Sequence, residues 1–145
     1  MAQVAFAIGS CQLLSRVLAR RQDFDSLFEG YNRLQAISYV VSPDLLLHFF
    51  EKRGFSEVEV VVGENLTQQY RQALSQKGRQ VTEALAELVE QGKLKILVPK
   101  RTIHSKLYIL QRDGLYRVIQ GSANLTETAR QATNQVNYVW YADLA

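Results

Sequence analysis

Hydrophobic and polar positions alternate with two different periods along this chain. Residues 34–41 are dense in β-branched and aromatic side chains and read as a strand. The run ends at Ser42-Pro43-Asp44, a helix start with a serine cap and proline in the first turn. The helix that follows, 44–53, stops at Gly54, where a left-handed C-terminal cap is expected. Residues 58–62 form a short apolar strand. Of the helices after it the clearer spans 81–91, where Val81, Leu85, Leu88 and Val89 share a face and Gly92 closes the run. Upstream, Leu13, Leu14, Val17 and Leu18 fall at helical spacing and predict a helix over 11–21, so that residues 1–32 form a helical lead-in. Downstream the period shortens: 94–98, 105–110, 115–120 and 136–141 read as strands, with a short helix over 126–131.

Strands that first alternate with helices and then meet in a hairpin define an α/β fold, a mixed β-sheet flanked by helices. No repeat, low-complexity segment or linker interrupts the 145 residues, so 1–145 is read as a single domain. The end at Ala145, just after a strand, suggests a domain cut from a longer protein.

Composition narrows the setting. With 47% hydrophobic residues the chain is an ordinary globular protein. The apolar stretch 4–8 is too short for a signal-peptide core or a membrane span, which implies a cytoplasmic protein with no membrane partner. One cysteine, Cys11, excludes an internal disulfide and reads as a small core residue. Two histidines and that cysteine fall short of a zinc ligand set, so no metal and no cofactor is expected.

Charge is unevenly spread. Residues 1–90 carry 9 basic and 11 acidic side chains, whereas 91–145 carry 8 basic and 3 acidic. Lys93, Lys95, Lys100, Arg101 and Lys106 follow one another with no acid between them. That asymmetry suits a polyanionic partner, with a solvated basic edge as the plain alternative.

The basic run leads into His104-Ser105-Lys106, and Gly121-Ser122-Ala123-Asn124 follows. On a strand, side chains two apart share a face, so His104 and Lys106 project together. A turn over 111–114 centred near residue 113 sets residue 104 opposite 122 and Lys106 opposite Gln120, bringing Gln120 near the group. Imidazole can attack phosphorus, lysine can neutralise non-bridging oxygens, and serine and asparagine can donate to them. Tyr108 shares this face and could stack on a base, but reads more simply as a core tyrosine, and Trp140 and Tyr141 as packing residues. His48, in Leu45-Leu46-Leu47-His48-Phe49-Phe50, has no lysine two residues on and reads as a structural or surface helix residue.

His104-x-Lys106 followed by Gly121-Ser122-x-Asn124 resembles the phospholipase D-like superfamily, whose motif is His-x-Lys-x4-Asp followed by Gly-Ser-x-Asn. From about residue 34 onward, the element order is similar to one copy of that domain. The resemblance implies a histidine nucleophile at His104 and phosphate binding by Lys106, Ser122 and Asn124. Two departures stand out. The motif aspartate falls at Gln111, with Asp113 in the turn, and no acid lies near Asn134-Gln135-Val136-Asn137, where relatives often place a glutamate. Gln111, Gln135 or Asn137 could orient the histidine as amides but could not supply charge.

The resemblance also implies a second motif copy, supplied by a second subunit or by sequence beyond this chain, and a two-fold homodimer pairing two copies of His104 is the simplest solution. The reading is a metal-independent phosphodiesterase, a nuclease acting on nucleic acid and on DNA in preference to RNA. Lys93, Lys95, Lys100, Arg101, Gly121 and Gln120 would contribute phosphate or nucleic-acid contacts. The alternatives are a degenerate non-catalytic nucleic-acid-binding module of a larger nuclease, helicase or restriction assembly, and a phospholipid hydrolase.

Overall fold

The computed structural model describes residues 5–8, 11–64, 75 and 78–145. Its strands are β1 (Ala5–Ile8), β2 (Cys11–Leu18), β3 (Arg33–Ser38), β4 (Glu57–Val62), β5 (Leu94–Leu97), β6 (Leu107–Arg112), β7 (Leu115–Gly121) and β8 (Asn137–Leu144). The described helices are α1 (Arg21–Phe28), α2 (Pro43–Glu51), α3 (Arg79–Glu90) and α4 (Glu127–Gln131). The eight strands form one mixed sheet in the order β1-β2-β8-β7-β6-β3-β4-β5. β3, β4 and β5 run parallel to one another, and every other pairing is antiparallel.

Two consecutive crossovers, through α2 and then α3, step the chain from β3 to β4 to β5 in the same direction. Parallel crossovers are right-handed, so both helices fall on one face. The core lies beneath them. Leu34, Ala36, Val58, Val60, Tyr108, Leu110, Ile119 and Val139 point inward from the strands to meet Phe24, Phe28, Leu45, Leu46 and Phe49 from the helices. Phe28 lies 5.1 Å from Phe49 and 6.2 Å from Tyr108 between ring centroids, so one aromatic cluster joins α1, α2 and β6. Asp25 of α1 ties these layers at their rim, pairing with Arg130 of α4 at 2.7 Å and with Arg53 at 3.1 Å. No described helix is long and apolar enough to cross a membrane.

The expected helix over 11–21 is a correction: residues Cys11–Leu18 form β2, and helix begins only at Arg21. Leu14, Arg16 and Leu18 share the inner face, opposite Tyr141, Val139 and Asn137, while Leu13 and Val17 face outward. An inward arginine and outward apolar residues conceal the alternation of a strand. The arginine is accommodated because its guanidinium donates to Ser26 Oγ at 2.7 Å and to Tyr141 Oη at 3.2 Å. The switch to helix is made by Asp23, whose carboxylate accepts from the backbone N–H groups of Ala19 and Arg20. Cys11, expected in the core, is only partly buried at the start of β2.

The hairpin register is a second correction. Its loop is the two-residue Asp113-Gly114, with φ of 48° and 80°, the doubly left-handed geometry that Asp-Gly favours. Leu107 therefore faces Gln120, and Arg112 faces Leu115, one residue away from the expected pairing. The other strands and helices predicted with bounds appear within a few residues of them, whereas the less clear helix expected between residues 62 and 81 lies largely outside the described residues.

Candidate functional site

The strand ends that flank the motif segments lie on one side of the sheet. They are the carboxyl ends of β3, β4 and β7 and the amino ends of β6 and β8, as the pairs Ser38–Val62, Ile37–Leu107 and Gly121–Val139 require. In open sheets with parallel strands, groups that bind ligands collect at such carboxyl ends. His104, Lys106, Ser122 and Asn124 all lie here, in loops or just outside the strands.

His104 is exposed and precedes β6, which begins only at Leu107. Its ring stacks on Tyr39 with centroids 4.4 Å apart and planes 21° apart. Lys106 turns back toward the same segment, its ammonium donating to the His104 carbonyl oxygen at 3.2 Å. The segment is positioned from β4, since Ile103 N–H donates to the Gly63 carbonyl at 3.1 Å. A Cβ on Gly63 would overlap the Ile103 carbonyl oxygen, so glycine is required for the approach.

The Gly-Ser-x-Asn turn is locked by its neighbours. A Cβ on Gly121 would overlap the backbone of Tyr138 and Val139, which is the steric reason for glycine there. Ser122 Oγ donates to Asn137 Oδ1 at 2.9 Å and accepts from Tyr138 N–H at 3.1 Å, so its hydroxyl is committed to the β7–β8 seam. Asn124 Oδ1 accepts from Val40 N–H at 3.3 Å and lies 3.3 Å from Ser38 Oγ. With Oδ1 so engaged, the Asn124 amide is fixed in orientation, and its Nδ2 makes no hydrogen bond among the described residues.

Ser38 organises this end from inside. Fully buried, it donates through Oγ to the Val40 carbonyl at 2.6 Å and accepts from Leu125 N–H at 2.9 Å. Tyr108 reaches the same turn from below, donating its hydroxyl to the Ala123 carbonyl. It is 2% exposed, a core residue as expected, and burial pushes its phenol well above the ordinary tyrosine range. Ser42, expected to cap α2, instead accepts through Oγ from Glu127 N–H at 3.0 Å. It thereby caps the turn entering α4, linking the loop after β3 to the loop after Asn124.

Among the described residues, none of the amides expected to reach the imidazole hydrogen-bonds it. Gln111 lies at the other end of β6, about 16 Å of strand from Lys106, where its amide donates to Tyr116 Oη at 3.2 Å. Asp113 occupies the hairpin turn beyond it. Gln135 is exposed, and Asn137 is buried with its Oδ1 taken by Ser122 and no acceptor for its Nδ2. Among the described residues no side chain hydrogen-bonds the His104 imidazole, and no three His, Cys, Asp or Glu side chains cluster where they could hold a metal ion.

The basic run divides between the two ends of the sheet, which corrects the idea that all of it leads to the site. Lys93 and Lys95 stand at the far end, beside Arg33, Glu57, Glu59 and Gln111. Lys100 and Arg101 line a small groove with Gly63, Glu64 and Thr102, next to the His104 segment. Gln120 is exposed on β7 opposite Leu107 and Trp140, one residue before Gly121. His48 lies on α2, within the Asp25, Arg53, Arg130 and Glu127 charge cluster. Tyr39, Gly63 and Ser38 were not legible as site residues, because no motif includes them. The one sequence signal was their position just after two strands that end at the same edge.

A mixed sheet with a histidine-lysine segment and a Gly-Ser-x-Asn turn on one edge defines the phospholipase D-like class of α/β domain. More particularly, residues 18–144 match the family model described as the NgoFVII restriction endonuclease N-terminal PLD domain, and the chain belongs to that family. Among solved structures it is similar to NucT from Helicobacter pylori, at 17% identity and a TM-score of 0.59 over 92% of this chain and 86% of that one. That likeness is one of fold. No curated protein sequence matches the chain.

Proposed function

We propose that the chain is a metal-independent phosphodiesterase, a nuclease acting on DNA, with His104 as the nucleophile. The observation that carries this reading is the meeting of the two motif segments through one short bridge. Tyr39 stacks on His104, and the next residue, Val40, donates its N–H to Asn124. His104 would attack phosphorus, forming a P–N bond as the P–O bond to the leaving oxygen breaks. Lys106 and the Asn124 Nδ2 would stabilise the charge gathering on the non-bridging oxygens. A second copy's histidine would protonate the leaving oxygen, and water would then cleave the P–N bond, freeing His104 and leaving a phosphomonoester on the other DNA end. The family's restriction-endonuclease description supports nucleic acid as substrate, and Lys100 and Arg101 beside the site suit a phosphate backbone.

A two-fold dimer supplies the second histidine. Val136 and Tyr138 flank Asn137 beside the Ser122 turn and are 64% and 57% exposed. Two such rims pressed together around facing sites would cover apolar surface that water otherwise wets. A second reading, a module that grips phosphates without cutting them, draws support from the absence of a carboxylate bonded to His104 among the described residues.

The deciding experiment incubates the wild type and His104→Ala with single- and double-stranded DNA in EDTA, at concentrations where sedimentation shows a dimer. Cleavage by the wild type alone, with a trapped phosphohistidine, supports the enzyme. Binding without cleavage or adduct supports the non-catalytic module.

A further inference from the structure

Among the described residues no carboxylate bonds the His104 ring, and the geometry points to Tyr39 as the group that sets its direction. The two rings lie 4.4 Å apart with planes only 21° out of parallel. A face-on contact fixes the plane of an imidazole while leaving both nitrogens on its open edge, where one can be aimed at phosphorus. A hydrogen bond from a neighbouring group would instead occupy one nitrogen.

Both rings hang from backbone tied to the same short stretch of chain. The Tyr39 carbonyl accepts from Glu64 N–H and the Ser38 carbonyl accepts from Gly63 N–H, each at 2.8 Å. Val40 N–H is held by Asn124. From the other side Ile103 N–H donates to the Gly63 carbonyl, and the missing Cβ of Gly63 lets that strand of chain close in. The separation between the rings is thus set by main-chain bonds on either side of residue 63, and not by the rings alone.

We propose that Tyr39 is the positioning residue for His104, fixing the plane of the imidazole by stacking, with Gly63 setting the distance between them. The catalytic consequence rests on the nuclease reading above, whereas the orienting role does not. Stacking needs the ring and not the hydroxyl, so phenylalanine is able to replace tyrosine at this position and an aliphatic residue is not.

Ring-proton NMR of the isotope-labelled chain tests the contact directly. His104 signals, assigned with His104→Ala, are expected to be displaced upfield by the Tyr39 ring current in the wild type and in Tyr39→Phe. In Tyr39→Leu they should move to ordinary histidine positions while the His48 signals stay in place, which shows an intact fold. Unchanged His104 signals in Tyr39→Leu would overturn the proposal. In cleavage assays Tyr39→Leu should lower kcat by about 10-fold to 100-fold with KM little changed, and Tyr39→Phe should restore it. A rise in KM at unchanged kcat would instead make Tyr39 a platform for a substrate base and overturn the positioning role. A wild type that cuts no DNA overturns the nuclease reading, and the NMR comparison alone then decides whether Tyr39 holds the ring.

Discussion

The two ends of the sheet are made from the same strands but secured by different means. At the hairpin end a two-residue turn is joined by side-chain pairs between neighbouring strands. Asp113 and Gly114 take up left-handed conformations, Arg33 pairs with Glu57 across neighbouring strands at 2.8 Å, and Gln111 reaches Tyr116 on the facing strand. At the site end the ties run between residues far apart in the chain: Ser38 with Leu125, Asn124 with Val40, Ser42 with Glu127 and Ile103 with Gly63. Local turn chemistry is enough to end a strand. Placing a histidine, a lysine and a glycine-serine turn together takes a framework of long-range side-chain and main-chain bonds.

That contrast can be broken most sharply on β6, which touches both ends. Lys106→Met is expected to lower kcat for metal-free DNA cleavage by about 10²-fold to 10³-fold, as loss of a preorganised charge does. Gln111→Ala, at the far end of the strand that follows Lys106, should leave kcat within about twofold. Equal losses from the two would show that the motif's eighth position, Gln111, matters to the chemistry from afar, and the division into two ends would fail.

Stability separates the ends next. Ser38→Ala strands the Leu125 N–H in the interior, at a cost of about 1–3 kcal/mol in urea unfolding, and should also reduce cleavage. Gly114→Ala forces alanine into a left-handed conformation, at about 1 kcal/mol and with no change in activity. A silent Ser38→Ala would remove the hub from the account of the site.

Charge offers a finer comparison. Replacing Lys100 and Arg101 together by alanine should weaken DNA binding by about tenfold at moderate salt and flatten its salt dependence. The same change at Lys93 and Lys95 should weaken it by less than about twofold, since those residues face the other end. Fluorescence anisotropy at several salt concentrations reads both, and the reverse ranking would move the DNA path to the far end.

The smallest effect is expected away from both ends. Burial first, then Arg130 and Arg53, hold the His48 imidazole below its ordinary titration range. The folded chain then binds fewer protons than the unfolded chain between the lowered and the ordinary value. Stability is full above the ordinary histidine range and falls as pH drops through it toward the lowered value. His48→Gln should flatten this part of the decline in urea midpoint, and an unchanged slope would assign the decline to other groups.

Much of this protein could be read before any coordinates. Residues 34–62 and 79–121 follow local rules: β-branched runs, a proline in the first turn of α2, and glycines at Gly54 and Gly92 with φ of 68° and 73°. The motif residues were legible because their order along the chain is itself the signal. The first strand pair was not legible, because β2 gains its stability from β8, more than a hundred residues away, and buries Arg16 against Tyr141. The single-residue error in hairpin register came from placing the turn on one residue when Asp-Gly uses two.

Sequence alone determined the class of fold and the family resemblance and singled out candidate phosphate-binding groups, since propensity, periodicity and motif spacing act over a few residues. Tertiary structure decided which cations stand beside the histidine, which amides are already engaged, and that an aromatic ring lies against the imidazole. Those facts depend on strand order, and strand order follows from the burial of residues that the chain keeps far apart.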